Sequence, residues 1–590
     1  MAKEGKKRIA VINYDLCNPK KCGYLCERVC PVNKSGKECI IHENSEKPNI
    51  SENLCIGCNI CVRKCPFSAI TIVNLPFEMK QPVHQYGRNM FRLFSLPMPK
   101  EKAVVGIIGR NGAGKTTALN ILAGIFIPNL GDFEKEPNIE RVIEFFKGSE
   151  LQKYFERLKN RDVRVAYKPQ YITQIPKQYK GKVKELLEKI SEKNIAEIAE
   201  VMEIENILER DISVLSGGEL QKVAIAATLA KNADLYFFDE FTAFLDVRER
   251  LRAAREIYKL KEGASVMLVE HDLTVLDYLS DYVHVLFGKP HAYGVVSQIK
   301  SVRNGINEYL EGFLKNENIR FREYEIKFEI KPPAEESKKK VFIEYPELRK
   351  SFEGFELKVE GSTLYKAEVV GILGRNGIGK TTFVKMLANE LKPDNCKLEW
   401  KLKIAYKPQY LKAEDRIVRE LFEEKDIDYE FYESEFRKKL DIFSLEESNL
   451  KQLSGGELQK VITAYCLCKD ADIYLLDEPS AYLDIEQRLQ IAHAINVLAE
   501  KKEKCCLVVD HDIMFIDFVA NRLLVFEGTP AKEGYASGIT SMHKGMNKFL
   551  KQIGITFRRD PQSGRPRANK PGSVKDKEQK KKGEFYYTFS

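Results

Sequence analysis

Nothing in the 590-residue sequence approaches the roughly twenty consecutive apolar residues that a membrane-crossing helix needs. Runs such as "AVVGII" and "IYLL" have the length of a strand. No apolar segment of signal-peptide type follows Met1, where "MAKEGKKRIAVINYDLC" is charged and then amphipathic. No flavin signature is evident, and the composition, 43% hydrophobic, is not that of a disordered chain. These absences predict a soluble, cytoplasmic protein of several domains, with no transport path of its own.

The formal net charge of +9 is placed at the ends. Residues 1–75 carry 12 Lys+Arg against 7 Asp+Glu and residues 558–583 carry 10 against 3, which leaves a nearly neutral body. Such lysine runs are either solvated surface, as in heat-adapted proteins, or contacts for the phosphates of a large nucleic acid.

Nine of the 14 cysteines lie in the first 65 residues, in two runs. The second, Cys55-x2-Cys58-x2-Cys61-x3-Cys65-Pro66, is the bacterial two-cluster ferredoxin pattern; the first, Cys17-x4-Cys22-x3-Cys26-x3-Cys30-Pro31, is stretched by three residues. Similarity to that architecture, in which the fourth cysteine of each run crosses over, implies one [4Fe–4S] cluster on Cys17, Cys22, Cys26 and Cys65. The second cluster then falls to Cys55, Cys58, Cys61 and Cys30. Zinc is the competing reading of paired C-x2-C spacings, and a disulfide framework is another. Zinc wants better-spread ligands, and disulfides do not suit a cytosolic ATPase. Cys39 reads as a packed thiol, and Cys396, Cys466, Cys468, Cys505 and Cys506 as core.

The remainder is a duplication. "GRNGAGKTT" (109–117) returns as "GRNGIGKTT" (374–382), "YKPQY" (167–171) at 406–410, "LSGGELQKV" (215–223) at 453–461, and "DLYFFDE" as "DIYLLDE". G-x4-G-K-T between an apolar strand and a helix is a P-loop. Gly109, Asn111, Gly112, Gly114 and Thr117, with Gly374, Asn376, Gly377, Gly379 and Thr382, ring the phosphates through backbone N–H groups. Lys115 and Lys380 neutralise phosphate charge; Thr116 and Thr381 offer hydroxyls to Mg²⁺. Asp239 and Asp477 belong to the metal shell, and Glu240 and Glu478 are placed to polarise attacking water.

At "LSGGELQ" the chain resembles the ATP-binding cassette (ABC) family. That resemblance implies two composite sites at a head-to-tail interface. The first joins Gly109–Thr117 to the signature Ser454, Gly455, Gly456 and Glu457; the second joins Gly374–Thr382 to Ser216, Gly217, Gly218 and Glu219. It also implies Mg²⁺- and water-sensing glutamines at Gln170 and Gln409, interface aspartates at Asp246 and Asp484, and switch histidines at His271 and His511. Tyr86 and Phe91, with Phe352 in the second cassette, are the candidates for stacking on adenine.

The copies differ in one place. Lys115 to Gln170 spans 55 residues and Lys380 to Gln409 only 29, whereas the glutamine-to-signature intervals are 45 and 44. The extra segment, 137–161, has the apolar spacing of a helix–loop–helix with Ser149 as second N-cap, and is either a surface hairpin or a docking element. After each cassette "SVRNGINEYL" (301–310) recurs as "SMHKGMNKFL" (541–550), and "NIRFR" (318–322) is echoed by "GITFR" (554–558), as paired hinges. "KPPAEESKKK" (331–340) reads as an exposed linker and 558–583 as a loosely ordered basic tail.

Taken together, the two cysteine runs, duplicated signatures, insertion and hinges make the chain resemble, end to end, the RNase L inhibitor family, ABC subfamily E. The implied fold is α/β: two P-loop ABC domains head to tail plus an N-terminal α+β two-cluster ferredoxin-like domain. The domains are 1–75 (iron–sulfur), 76–296 (first cassette), 297–340 (hinge and linker), 341–536 (second cassette) and 537–590 (second hinge and tail). The resemblance implies a monomeric ATPase that splits ribosomes, with two [4Fe–4S] clusters, two ATP/ADP and Mg²⁺. Its implied partners are the small ribosomal subunit with its RNA and proteins, a release-factor-like protein in the A site, and initiation factors, with no membrane. The clusters are expected to be a rigid structural head. The readings set against this are an ATP-gated electron carrier and a cytosolic ATPase subunit of a membrane complex.

Overall fold

The computed structural model describes residues 8–42, 46–74, 81–328 and 340–586. The segment 331–339, most of the expected linker, lies outside the described residues, as does 75–80 at the expected first domain boundary. No helix among the described residues is long and apolar enough to cross a membrane.

Each cassette is built on a nine-stranded sheet, and the two have the same strand order. In the first, Val104–Gly109 lies between Tyr282–Lys289 and Ser265–Val269, followed by Leu235–Asp239 and Val165–Lys168, all parallel. In the second, Glu368–Leu373 lies between Arg522–Glu527 and Cys505–Val509, followed by Ile473–Asp477 and Ile404–Lys407. Strands such as "VVGIIG" and "IYLLD" are apolar throughout because helices cover both faces of a parallel sheet. The duplication in sequence is thus a duplication of topology, and both P-loops leave the C-terminal end of a central strand. Helices of both cassettes share one continuous apolar core, which includes Leu276 and Tyr309 from one side and Phe515 and Phe549 from the other.

The N-terminal unit pairs Arg8–Ile12 antiparallel with Ile70–Asn74 and carries short helices between them. It is seated on the first cassette by one residue above all. Asn89, buried and at φ +53°, donates from Nδ2 to the carbonyls of Ala10 and Ile50 at 2.9 and 3.0 Å. Its Oδ1 accepts from Ile50 N at 2.8 Å and its own carbonyl from Ile12 N at 2.8 Å. Asparagine tolerates the left-handed region, and here it satisfies backbone groups on two strands at once. Arg92 adds an ion pair to Glu52 at 2.8 Å.

The insertion forms helices Ile139–Phe145 and Glu150–Lys159. Val142, Leu151 and Phe155 bury into the first cassette and Phe146 stacks on Phe155 at 5.5 Å. Asn138 caps the first helix through Arg141 N. Ser149 holds the second N-cap position but does not cap: its hydroxyl donates back to the Phe146 carbonyl at 2.6 Å, and Gly148 at φ +80° makes the turn.

The C-terminal tail corrects the sequence reading. It is ordered through Tyr586, with strands Phe557–Arg559 and Pro566–Ala568 and helix Val574–Lys582. Three of its arginines are neutralised from within. Arg565, fully buried, pairs with Asp277 of the first cassette, Arg559 with Asp517 of the second at 2.6 Å, and Arg567 with Asp277 at 2.8 Å. Asp560 receives Arg303 and Asn307 from the first hinge helix, Val302–Glu311. The two hinges therefore pack on each other as well as on the cassettes.

Candidate nucleotide sites and cluster cavities

In both P-loops the lysine is buried and folded back on its own loop. Lys115 Nζ donates to the carbonyls of Gly109 and Arg110 at 3.0 and 2.9 Å, and Lys380 Nζ to those of Gly374 and Arg375 at 2.8 and 2.6 Å. Burial lowers the pKa of each. Gly114 and Gly379, both at φ +94°, are held over aromatic rings; an added Cβ would lie 2.6 Å from Phe91 Cζ and 3.2 Å from Phe355 Cζ. That pairing identifies Phe355, not Phe352, as the counterpart of Phe91. Phe352 lies beyond it, half-exposed, with ring centroids 6.4 Å apart. Phe91 itself is committed beneath the loop, whereas Tyr86 keeps an exposed face and its hydroxyl lies 3.0 Å from Thr117 Oγ1.

Behind each P-loop the strand ending in Asp-Glu supplies the carboxylates. Thr116 Oγ1 donates to Asp239 at 2.8 Å, and Thr381 sits beside Asp477. Burial pushes both aspartates up to about 6. Asp239 Oδ1 and both oxygens of Asp477 are buried without a hydrogen-bond partner among the described residues. Such orphaned oxygens beside a threonine hydroxyl suit a hard divalent cation, whose charge would return the aspartates to their ionised form.

Glu240 and Glu478 stand at φ +47° and +50°, left-handed values that a glutamate rarely adopts and that mark a constrained site. Gln170 Nε2 donates to Glu240 and Gln409 Nε2 to Glu478, each at 2.7 Å. His271 and His511 each place Nε2 at 3.5 Å from the same carboxylates, a contact longer than a good hydrogen bond. Burial opposes the charge on both glutamates, but the imidazole and the P-loop lysine outweigh it and hold them low, at about 2. Burial, with Lys115 beside it, lowers His271. The glutamates are thus ionised, and suited to orienting water electrostatically rather than to storing its proton.

Two residue pairs that the motif reading left unassigned support this corner. Lys168 and Lys407, fully buried and pushed down to about 8, donate to the carbonyls of Asp239 and Glu240, and of Asp477 and Glu478, at 2.8–3.0 Å. Gln221 and Gln459 reach the Glu240 and Glu478 carbonyls at 3.0 and 2.7 Å. Both pairs stood in repeated words, "YKPQY" and "GGELQK", which was the available signal.

The cassettes face each other head to tail. Asp484 accepts from Asn111 N and Asp246 from Asn376 N, each at 3.0 Å, so each interface aspartate touches the opposite P-loop. Phe244 and Tyr482 meet edge-on at 5.8 Å between them. The signature serines are occupied locally: Ser216 and Ser454 form reciprocal capping boxes with Glu219 and Glu457 at the starts of helices Gly217–Leu229 and Gly455–Cys468. Gly217, Gly218, Gly455 and Gly456 are the first turns of those helices, whose N-terminal ends carry the positive end of the helix dipole.

In the N-terminal unit the eight assigned thiols separate into two cavities. Cys17, Cys22, Cys26 and Cys65 line one with Pro19, Pro66 and Phe67. Cys30, Cys55, Cys58 and Cys61 line the other, joined by Cys39. All are free thiols. They form walls rather than a point, and among the described residues no three His, Cys, Asp or Glu are placed to hold a single ion. Burial and neighbouring thiols raise Cys17 to about 11 and burial raises Cys26 and Cys61 to about 12, so these sulfurs ionise only against a cationic group. Four thiols around an apolar cavity fit an iron–sulfur cluster. Cys39 is buried and packs against this second set.

Comparison with known proteins agrees with these features. The ABC transporter model matches residues 95–243 and 358–481. A model described as a possible Fer4-like domain in RNase L inhibitor matches 8–38, and the 4Fe-4S binding domain matches 48–71. An uncharacterized ABC transporter ATP-binding protein of Methanocaldococcus jannaschii is 52% identical over 588 residues, 98% of this chain and 97% of that protein. A solved model of ribosome-bound archaeal Pelota and ABCE1 contains a chain 55% identical with TM-score 0.91, covering 98% of this chain and 99% of that one. In the complex of archaeal ribosomal stalk protein aP1 and archaeal ribosome recycling factor aABCE1, the matching chain is 55% identical with TM-score 0.83, covering 87% and 100%.

Proposed function

The chain belongs to the RNase L inhibitor family, ABC subfamily E, and on that premise we propose that it is a ribosome-recycling ATPase of the cytoplasm. Its two composite sites bind ATP with Mg²⁺ and hydrolyse it, and its N-terminal head carries two [4Fe–4S] clusters. The clusters supply rigid covalent cross-links; the chain's own residues do the rest. Lys115, Lys380 and the P-loop amides bind phosphate, Glu240 and Glu478 orient water, and Asp246 and Asp484 report each site to the other cassette.

One observation supports the coupling of hydrolysis to movement of the head. The loop 86–91 carries Tyr86 at Thr117, Phe91 under Gly114, and between them Asn89, which clamps the head. A shift of the first P-loop on closure therefore reaches the head through six residues. The small subunit, a Pelota-like factor in the A site and the stalk protein are the partners this reading gives the chain, with initiation factors on the same surfaces. The insertion, anchored by Phe155 and exposing Lys153, Arg157 and Lys159, is its docking element.

The test is sedimentation of purified ribosomes with the anaerobically prepared protein. We expect conversion to subunits with ATP, and binding without turnover with a non-hydrolysable analogue. Replacing residues 137–161 by a short Gly-Ser loop should abolish splitting and preserve basal hydrolysis, because the second cassette forms the same site without this segment. Intact ribosomes under all nucleotide conditions would refute the proposal.

A further inference from the structure

The two composite sites are framed alike, but one charge beside them is reversed. Two residues beyond the interface aspartates stand Arg248 in the first cassette and Glu486 in the second, while the residues preceding Asn111 and Asn376 are both arginines, Arg110 and Arg375. Since both aspartates meet the opposite loop at 3.0 Å and both cap the helix that follows, the positions correspond.

At site one the charges match. Glu486, nearly buried, receives Arg110 Nε at 3.3 Å and Arg322 Nη1 at 3.0 Å. Arg322 follows the first hinge helix and also donates to the Tyr309 carbonyl at 2.7 Å. At site two they do not. Arg248 turns to Glu203 of its own cassette at 3.9 Å, and Arg375 Nε is buried with no hydrogen-bond partner among the described residues. Arg558, the repeat counterpart of Arg322, has charged neighbours of both signs, Arg567 and Arg303 with Asp277 and Asp560.

We propose that Glu486 is a positioning residue that latches P-loop one to the second cassette and to the first hinge, and that Arg248 denies site two this latch, so that site two gives way first when the cassettes part. The inference rests on the composite-site reading above. The latch involves no phosphate contact, so it acts on how long a site stays shut rather than on the hydrolytic step.

The test uses the full-length holoprotein in Glu240→Gln and Glu478→Gln backgrounds, which retain nucleotide at site one and site two respectively, and follows release of a fluorescent ATP analogue. Release from site one should be the slower. Glu486→Gln should speed it about tenfold, the scale of breaking a desolvated charge pair, and leave site two unchanged. Arg248→Glu should slow release from site two. The double exchange Arg248→Glu with Glu486→Arg should invert the order. Arg248 is 41% exposed, so its variant keeps the test available if changes at Glu486 prevent folding. Unchanged order in the exchange, or equal acceleration at both sites by Glu486→Gln, would overturn the latch. If neither background retains nucleotide at all, the composite-site reading falls, and the latch with it.

Discussion

The two ends of the chain carry similar excesses of positive charge, 12 basic residues against 7 acidic before residue 76 and 10 against 3 over 558–583, but they hold it differently. In the head the lysines stand outside: Lys20, Lys21, Lys34, Lys37 and Lys64 are exposed, and the interior is thiols and aliphatic residues. At the C-terminus Arg559, Arg565 and Arg567 are drawn inward as struts between hinge and cassettes, and most of the exposed charge is left to Arg558 and the lysines of the last helix. Arginine's planar fork can be satisfied by carboxylates in a buried setting, whereas a lysine's ammonium favours water. Net charge in a sequence is therefore not the charge available to a partner.

The largest effect should come from iron. Cys26, Cys30, Cys39 and Cys61 make up much of the head's buried core, so chelation under reducing conditions should abolish amide protection over 8–74 and leave that of 557–586 intact. Loss of protection at both ends would show that they are not held independently. Next, Arg565→Ala removes one partner of a fully buried pair and leaves Asp277 to Arg567 alone. The expected cost is about 3–5 kcal/mol, seen as accelerated exchange over 557–586 and a lower denaturation midpoint, with the head's protection unaltered.

A smaller effect should appear with acid. Burial opposes the charge on Asp560, but backbone N–H groups of Ser563 and Gln562, with Arg565 and Arg303, hold its carboxyl well below the usual range. Its contribution is full above the unfolded carboxylate pKa of about 4 and is lost as pH falls below it. Exchange at 557–568 should rise below about pH 4 before that of the central strands; simultaneous loss would remove Asp560 from the account. Smallest is the salt dependence of ribosome binding. Alanine at Lys20, Lys21, Lys34, Lys37 or Lys64 should reduce the slope by about 0.7–0.9 for each phosphate that the lysine had neutralised. Changes in Arg559, by contrast, should leave the slope alone, and the opposite ranking would reverse the comparison.

What was legible in the sequence was what repeats or sits close together. The duplicated words mark the segments that form both P-loops, both strands ending in Asp-Glu and both glutamine loops, and the crossover implied by resemblance to two-cluster ferredoxins groups the eight thiols as the two cavities do. What was not legible depends on partners far apart in the chain. Arg565 meets Asp277 across 288 residues, so the tail looked like a solvated basic run. Lys168 and Lys407 were visible as repeats, but their role needs a buried carbonyl pair about seventy residues away. That Phe355 is the ring beneath the second P-loop was not legible either, because Phe352 and Phe355 oppose each other across the hairpin of Leu348–Phe352 and Phe355–Val359 and only its docking sets which one lies under Gly379.

The seating of Asn89 has a thermodynamic consequence. Four hydrogen bonds fix the head to a loop that also touches Thr117 and underlies Gly114, so the proposed coupling makes head position and occupancy of site one linked equilibria. Linkage is reciprocal. If nucleotide at site one shifts the head's affinity for a surface by some factor, that surface shifts nucleotide affinity at site one by the same factor. A partner that captures the displaced head is then, without touching the nucleotide, an effector of its binding.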